Sequence, residues 1–201
     1  GRIYNFPEVR EQLIVKGYKF KSQNDMEVIL HAYEEYGIDC VHHFNGMWAF
    51  CIYDKTKNIL LLSRDRFGIK PLYYYFDGDR FIFSSEIKAI LMHDIPRKEN
   101  RSIIFDYLYF NLTDHNEDTF FEGIKRLMPS HNLIFDLSSN KLQIKRYYDV
   151  KEKIIEGAND PKKIKELFTD AVNRALICNV PMGSCLSGGI DSSSIVVTMR
   201  K

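Results

Sequence analysis

Two segments near the N-terminus place apolar residues at helical spacing and predict helices. The first opens with Asn5 and Glu8, which have the spacing of a capping box, and ends at Gly17. The second opens with Asn24 and Glu27 at the same spacing. Its predicted buried face consists of Met26, Ile29, Leu30, Tyr33 and Tyr36.

The pattern then changes to short apolar runs that are typical of β-strands. Residues 48–54 and 58–64 form one pair of runs, joined by a short polar turn. Residues 72–76 and 80–84 flank Asp77-Gly78, a strong hairpin signal. Aromatic-rich antiparallel strands after two amphipathic helices predict an α+β arrangement, with the helices packed on a sheet.

A joining region and a second helical segment follow. Residues 102–112 are predicted as a helix capped by Ser102, and residues 132–136 and 141–147 as a hairpin. In the first of these, the residues predicted to be mostly buried are Ile103, Ile104, Tyr107, Leu108 and Phe110. Asp160-Pro161 then opens an amphipathic helix whose apolar face holds Ile164, Leu167, Phe168, Ala171, Val172 and Ala175.

The C-terminal segment has the order strand, glycine-rich loop, helix. Residues 179–186 are predicted as a short buried strand and residues 193–201 as the first turns of a helix. Between them runs the loop Leu186-Ser187-Gly188-Gly189-Ile190-Asp191-Ser192-Ser193. Glycines let a backbone approach a phosphate, and the helix N-terminus contributes its positive end, so this order predicts an anion site.

The loop is not a Walker A sequence. Gly183 and Gly188 have the required spacing, but Gly189 stands where that motif has lysine. Hydroxyl donors come from Ser187, Ser192 and Ser193, and the Asp191 carboxylate is placed to face a Mg²⁺ ion carried by a nucleotide. An ordinary turn before a capped helix is the simpler alternative, and the length of the pattern favours the phosphate loop.

Composition narrows the functional classes. The 201 residues include 28 Lys and Arg against 27 Asp and Glu, a formal net charge of +1. No basic run stands out, so the charge pattern of a nucleic-acid-binding protein is missing. No apolar stretch approaches the ~18 residues of a membrane span, and no secretory signal is recognisable. An apolar fraction of 45% is sufficient for a folded core.

Several reactive side chains have a structural interpretation. Cys40 and Cys51 are expected to be packed in the core of a protein from a reducing cytoplasm, without a neighbouring base. Asp65, between two arginines, is predicted to form a structural ion pair. His131 is expected to be a turn residue bonded to backbone, and the pair His42-His43 has no metal-ligand partner nearby in sequence.

Longer stretches carry a family resemblance. The glycine-rich loop resembles the SGGxDSS loop of the N-type ATP pyrophosphatases, and several earlier segments resemble class II glutamine amidotransferases. The order of these segments is similar to that in glutamine-dependent asparagine synthetases. The segments are Gly1-Arg2-Ile3-Tyr4-Asn5, residues 24–30, residues 45–50, residues 64–74, residues 83–89 and residues 127–131.

The resemblance implies two domains. Residues 1–150 are expected to form an α+β glutaminase sandwich of the N-terminal nucleophile type, with its N-terminal part missing. Residues 151–160 would be a linker, and residues 161–201 the start of an α/β ATP-pyrophosphatase domain. Since the chain starts at Gly1 without a methionine and stops within a predicted helix, we expect a fragment of a longer protein.

The resemblance also implies an activity. It predicts ATP-dependent amidation of aspartate to asparagine through an aspartyl-adenylate, with ammonia taken from glutamine and with ATP and Mg²⁺ required. The expected partners are therefore the small molecules glutamine, aspartate and ATP, in the cytoplasm, without nucleic acid or membrane. A homodimer is compatible with the sequence, which does not specify an oligomeric state.

Matching positions imply roles for individual residues. In the first domain, Gly1 corresponds to a glycine whose backbone helps to form the oxyanion hole, and Asp25 to the carboxylate that holds the glutamine α-ammonium. Arg2 stands where the family has a glutamate that helps to hold glutamine. In the second, the nucleotide-binding positions are Leu186, Ser187, Gly188, Gly189, Asp191, Ser192 and Ser193, with Asp191 as the Mg²⁺ position.

Departures from the family pattern leave alternatives open. The nucleophilic cysteine and the oxyanion-hole asparagine would precede Gly1, so this chain alone is expected to be inactive. Arg2 repels a substrate ammonium, Ser130 replaces a turn glycine, and Asn179 replaces an aspartate. A ligase with another carboxylate acceptor, as in sugar amidation or β-lactam synthesis, is one alternative. A nucleotide-binding homologue without glutaminase activity is the other.

Overall fold

The computed structural model describes residues 1–154, 160–177 and 181–200, and its strands pair only in antiparallel fashion. The strands are β1 Arg2–Ile3, β2 Gly46–Met47, β3 Ala49–Asp54, β4 Ile59–Arg64, β5 Tyr73–Phe76, β6 Phe81–Ser84, β7 Ile124–Arg126, β8 His131–Asp136 and β9 Lys141–Arg146. The α-helices are α1 Phe6–Val15, α2 Asp25–Tyr36, α3 Ile87–Ile90, α4 Arg101–Phe110, α5 Pro161–Leu176 and α6 Ile190–Met199. A 3₁₀-helix at Gly37–His43 follows α2 directly, and another spans Val150–Lys153.

The strands form three small sheets. Their orders are β3-β4-β8-β9, β6-β5-β7 and the two-stranded pair β1-β2. All three predicted strand pairs are confirmed, since β3 pairs with β4, β5 with β6 and β8 with β9. The expectation of antiparallel sheets with packed helices is therefore confirmed for residues 1–154.

The main core lies between the first two helices and the four-stranded sheet. Fully buried Leu13 of α1 and Val28 of α2 belong to the same apolar cluster as Leu61 of β4 and Trp48. Phe44 packs edge-on against Trp48, with ring centroids 5.9 Å apart. Burial of aromatic and branched side chains from both layers is the driving force that holds the helices on the sheet.

Two details of the predicted helices α1 and α2 are wrong. Asn5 makes no side-chain cap, because its side chain instead accepts from the Asn45 N–H and donates to the His43 carbonyl. In α2 the Asn24 cap is confirmed, since its side chain accepts from the Glu27 N–H at 3.2 Å. On its predicted buried face, Ile29 and Tyr33 are buried as expected, but Met26 and Leu30 are exposed, and Val28 and Ala32 are buried in their place.

Helix α4 also differs from its prediction. Asn100, not Ser102, caps it, by accepting from the Ile103 N–H. Only Ile103 is buried, while Leu108 is 76% and Phe110 57% exposed. The predicted burial was wrong because most of this helix's apolar surface has no packed neighbour among the residues described.

The C-terminal segments are helical but contain no described strand. The Asp160 cap of α5 is confirmed, since its side chain accepts from the Lys162 N–H at 2.9 Å. Residues 181–186, predicted as a buried strand, are irregular and exposed, because no described strand lies beside them to pair with their backbone. The linker positions 155–159, Cys178, the first two residues of the predicted strand (Asn179 and Val180) and Lys201 lie outside the described residues.

The buried carboxylate of Asp65 organises the turn after β4. It accepts N–H groups from Trp48 at 3.2 Å, Phe67 at 3.1 Å, Ile69 at 3.0 Å and Lys70 at 2.9 Å. Asp65 is fully buried and makes no ion pair with described residues. The predicted ion pair is therefore wrong, because the chain turns its own backbone donors onto this carboxylate instead.

The two neighbouring arginines bond to carbonyl groups. The Arg64 guanidinium donates to the carbonyls of Lys70, Leu127 and Gly68 at 2.7–2.8 Å. Arg66 donates to the Phe44 carbonyl, and its guanidinium lies 5.8 Å from the Trp48 ring. Burial lowers the pKa of Arg64, and its charge is balanced by these oriented carbonyl dipoles.

No helix within residues 1–154, 160–177 or 181–200 combines the length and the apolar content that a membrane-crossing helix needs.

Replacement of Asp65 by asparagine is expected to destabilise the protein. The amide would present its NH₂ group to backbone N–H donors, so at least one buried donor would lose its acceptor. We expect the free energy of unfolding to fall by about 3 kcal/mol. Urea unfolding followed by circular dichroism measures this change.

The matched control is Asp79→Asn, because Asp79 is exposed in a hairpin turn. A change of less than about 0.5 kcal/mol is expected for the control. Equal stability of the Asp65 and Asp79 variants would contradict the assigned role of Asp65.

Candidate functional sites

The first candidate site is built on strand β1. Arg2 pairs with Met47 and Ile3 with Gly46, which places the chain start against the residues that lead into β3. The backbones approach closely, since a Cβ atom on Gly46 would lie 2.1 Å from the Arg2 carbonyl oxygen. Only glycine fits at this position without displacing β1.

The start of α2 lies beside the same strand. The Asp25 carboxylate accepts the Ile3 N–H at 2.9 Å through Oδ2. Asp25 is half-buried and sits in the first turn of the helix, where the positive end of the dipole favours a negative charge. The structure therefore brings Gly1 and Arg2 together with Asp25, which lies 24 and 23 residues later in the sequence.

The charges of this site are one cation and one anion. Arg2 is half-buried, and no ion pair neutralises it within residues 1–154, 160–177 and 181–200. Asp25 has its Oδ1 atom without a hydrogen-bond partner among the same residues. An ammonium group near Oδ1 would thus be attracted by Asp25 and opposed by Arg2.

The second candidate site is the loop before α6. Gly188 has φ +83°, a left-handed conformation that favours glycine, and the loop then enters the helix at Ile190. The first main-chain hydrogen bond of α6 runs from the Ser193 N–H to the Gly189 carbonyl oxygen, at 3.0 Å. The N–H groups of Ile190, Asp191 and Ser192 precede that bond and are the donors a helix N-terminus offers to an anion.

Hydrogen bonds of serine hydroxyl groups join the two ends of the loop. Ser192 Oγ lies 3.0 Å from Ser187 Oγ and accepts the Ser187 N–H at 3.3 Å. It also donates to the Gly189 carbonyl at 3.2 Å. Leu186 and Asp191 are exposed beside this bend. The loop thus has a bent backbone and an accessible carboxylate.

The Asp191 carboxylate fits a Mg²⁺ ion only in company with a nucleotide. Among the described residues, no three His, Cys, Asp or Glu side chains come together as a metal site. A single carboxylate with phosphate oxygens and water is, however, a common way of holding Mg²⁺. Asp191 therefore suits an ion that arrives with phosphates.

The other reactive side chains have structural roles. Burial raises the pKa of the Cys40 thiol to about 12 and that of Cys51 to about 11. His131 Nδ1 lies 2.8 Å from the Pro129 carbonyl oxygen, which confirms the expected turn histidine. None of these three side chains is poised as a nucleophile or base.

Sequence reasoning missed two residues that position the first site. The main-chain N–H of Ile3 binds Asp25, and no side-chain pattern reports a main-chain donor. Glu27 bonds to the segment before α2, although its sequence position indicated only a capping box. Neither contact follows from helical or strand spacing.

The fold is that of an α+β domain with antiparallel sheets and packed helices. A solved structure of the allosteric regulatory enzyme of purine biosynthesis matches 73% of this chain and 27% of its own, with a TM-score of 0.50 and 18% identity. This likeness concerns the fold alone. The family described as glutamine amidotransferase domain matches residues 1–148, and the chain belongs to that family.

The C-terminal segment matches a second family, described as asparagine synthase, over residues 163–201. The glutamine-hydrolysing asparagine synthetase 3 of Bacillus subtilis is 40% identical over 97% of this chain. Asparagine synthetase 2 of the same organism, also glutamine-hydrolysing, is 36% identical over 97% of the chain. The matches cover 32% and 28% of these relatives, so the chain spans about a third of their length.

Cysteine accessibility gives a direct test of the thiol assignments. At pH 8, pKa values of about 12 and about 11 leave less than about one thiolate in a thousand at Cys40 and Cys51. Cys185 is exposed. Iodoacetamide is expected to label Cys185 in the native protein, and Cys40 and Cys51 only after unfolding, as measured by peptide mass spectrometry.

A labelling rate at Cys40 or Cys51 equal to that of Cys185 would contradict their burial. Labelling in urea is the control, because all three thiols are then equally accessible.

Proposed function

We propose that this chain is part of a glutamine-dependent asparagine synthetase. Glutamine is hydrolysed to glutamate and ammonia at the first site. Aspartate attacks ATP to form aspartyl-adenylate with loss of pyrophosphate, and ammonia then displaces AMP to give asparagine. One observation carries the proposal: a glutamine amidotransferase domain match is followed in the same chain by an asparagine synthase match.

At the first site, Asp25 would hold the α-ammonium of glutamine through its free Oδ1 atom. The backbone of Gly1 would contribute to the oxyanion hole, where N–H donors stabilise the charge that develops on the substrate oxygen. The nucleophile would be a cysteine before Gly1, acting as a thiolate with its own α-amine as base. Cys40 and Cys51 do not fit that role, because Cys40 is buried, Cys51 is half-buried against the core, and burial raises the pKa of both thiols.

At the second site, the loop would hold the pyrophosphate end of ATP. The N–H groups of Ile190, Asp191 and Ser192 and the hydroxyls of Ser187 and Ser193 are suited to phosphate oxygens. Leu186, Gly188 and Gly189 shape the bend that lets phosphate approach. Asp191 would hold the Mg²⁺ ion, which supplies charge neutralisation for the leaving pyrophosphate.

Further parts of the proposal follow from this assignment. The domains would be residues 1–150 and 161–201, with a linker at residues 151–160. The substrates would be small molecules of the cytoplasm, with neither nucleic acid nor membrane as a partner, and a homodimer is a compatible assembly. The formal charge of +1 and the lack of a basic run support the exclusion of nucleic acid.

The central test is ATP turnover by the full-length protein. We expect AMP and pyrophosphate to form only when aspartate is present, with glutamine or ammonia as the nitrogen donor. Gly188→Ala should raise the KM for ATP about tenfold, since a left-handed conformation costs an alanine roughly 1–2 kcal/mol. Pyrophosphate release measured with a coupled assay gives both results.

Gly183→Ala is the matched control, because a Cβ atom there meets nothing within 4 Å and Gly183 is not among the glycines with positive φ. AMP formation that does not depend on aspartate would favour a ligase with another carboxylate acceptor. If ATP is not turned over with either nitrogen donor, glutamine or ammonia, the proposal is wrong.

A second candidate is a protein that uses free ammonia because its glutaminase site is weak. The observation that favours it is Arg2, a cation without an ion-pair partner among the described residues, on the strand whose Ile3 N–H binds Asp25. The same chemistry would then run at the second site. The alternative of a nucleotide-binding homologue without turnover would retain only ATP affinity.

Arg2→Glu distinguishes these candidates in the full-length protein. Removal of the positive charge and addition of a carboxylate should lower the KM for glutamine about tenfold or more, while ammonia-dependent synthesis stays unchanged. Steady-state kinetics with each nitrogen donor measures the two effects. Arg101→Glu serves as the charge-matched control, because Arg101 is exposed at the start of α4 and its side chain contacts Glu99 there.

A further inference from the structure

Glu27 lies two residues after Asp25 and binds the segment that leads into α2. Its Oε1 accepts the Lys21 N–H at 2.8 Å, and its Oε2 accepts the Ser22 N–H at 2.7 Å. The Ser22 hydroxyl lies 2.6 Å from the same Oε2. Both carboxylate oxygens of Glu27 are thus used to hold residues 21–22 against the first turn of the helix.

The cap residue completes the same arrangement. Asn24 Oδ1 accepts the Glu27 N–H at 3.2 Å and lies 3.1 Å from the Ser22 hydroxyl. Hydrogen bonds between Glu27 and residues 21, 22 and 24 therefore close residues 21–27 into a loop at the start of α2. Hydrogen bonds from the Ser22 side chain and the Lys21 N–H lower the pKa of Glu27 to about 2, so the acceptor stays ionised at physiological pH.

Asp25 lies inside this closed segment and has little support of its own. The Ile3 N–H binds its Oδ2 at 2.9 Å, and its Oδ1 has no partner within the residues described. The backbone of Asp25, and with it the direction of Oδ1, is consequently fixed by the bonds of Glu27 on one side and by strand β1 on the other. A carboxylate that shifts by about 1 Å loses much of its selectivity for a bound group.

We infer that Glu27 is a positioning residue for recognition of the substrate's α-ammonium group by Asp25. The inference rests on the proposed function of the first site and adds a residue to it. Glu27 does not touch substrate in this assignment. It acts through Asp25 by fixing the start of α2, so its loss should affect only substrates that carry an α-ammonium group.

The test compares two substrates of the full-length protein, L-glutamine and glutaramate, which is glutamine without its α-amino group. Wild-type protein is expected to prefer L-glutamine in kcat/KM. Glu27→Gln should reduce that preference about tenfold through KM, because the amide places NH₂ donors against the N–H donors of residues 21 and 22. Its kcat/KM for glutaramate should change less than about twofold.

Two further variants calibrate the result. Ser22→Ala removes one of the three bonds and leaves both main-chain bonds, so a smaller loss of preference is expected. Glu11→Gln is the matched control, because Glu11 is exposed on α1 and its side chain makes no hydrogen bond or ion pair with the described residues. The control should keep the wild-type preference.

The outcomes separate this inference from the function on which it rests. If wild-type protein hydrolyses neither substrate, the proposed glutaminase site fails. If wild-type protein prefers L-glutamine and Glu27→Gln keeps that preference, the role of Glu27 fails while the site stands. An equal loss of activity toward both substrates would show a purely structural role and would also overturn the inference.

Discussion

The rest of residues 1–154 depends on the hydrogen bonds that the buried Asp65 carboxylate accepts. Its four N–H donors come from the turn at residues 67–70 and from Trp48, which begins the path into β3. Since a Cβ atom on Gly1 would lie 2.8 Å from the Trp48 Cα, the chain start is packed on the same residue. One buried anion thereby fixes the turn, the sheet edge and strand β1 of the candidate glutamine site.

The two parts of the chain differ in what covers their apolar side chains. Residues 1–154 contain three buried clusters, whereas neither α5 nor α6 has a fully buried residue. The apolar stripe of α5 leaves Ile164 58% and Leu167 61% exposed. Helices gain most of their stability from packing of such a stripe, and among the described residues the stripe of α5 is largely uncovered. The amphipathic pattern of α5 was predicted correctly, but such a pattern does not show which surface packs against the apolar stripe.

The sequence predicted elements more successfully than contacts. Hairpins and helix ends follow from local chemistry, so residues 73–84, the Asn24 cap and the Asp160 cap were predicted correctly. Asp65 was misinterpreted because its neighbours in sequence are arginines, whereas its bonds come from N–H groups that only the folded turn presents. In the first site, family resemblance located Gly1, Arg2 and Asp25. The Ile3 donor and the bonds of Glu27 required the geometry, since main-chain donors leave no trace in side-chain spacing.

The first candidate site holds two opposite charges, Asp25 on α2 and Arg2 on β1, and the two differ in the contacts that fix them. Asp25 is held by a main-chain donor of β1 and lies in the first turn of helix α2. Arg2 belongs to a strand of two residues and has no ion-pair partner among the residues described. A bound amino acid carries both an ammonium and a carboxylate, and a cation beside Asp25 favours the carboxylate end while it opposes the ammonium. The affinity for such a ligand would therefore depend on which of its two charged groups lies nearer to Arg2.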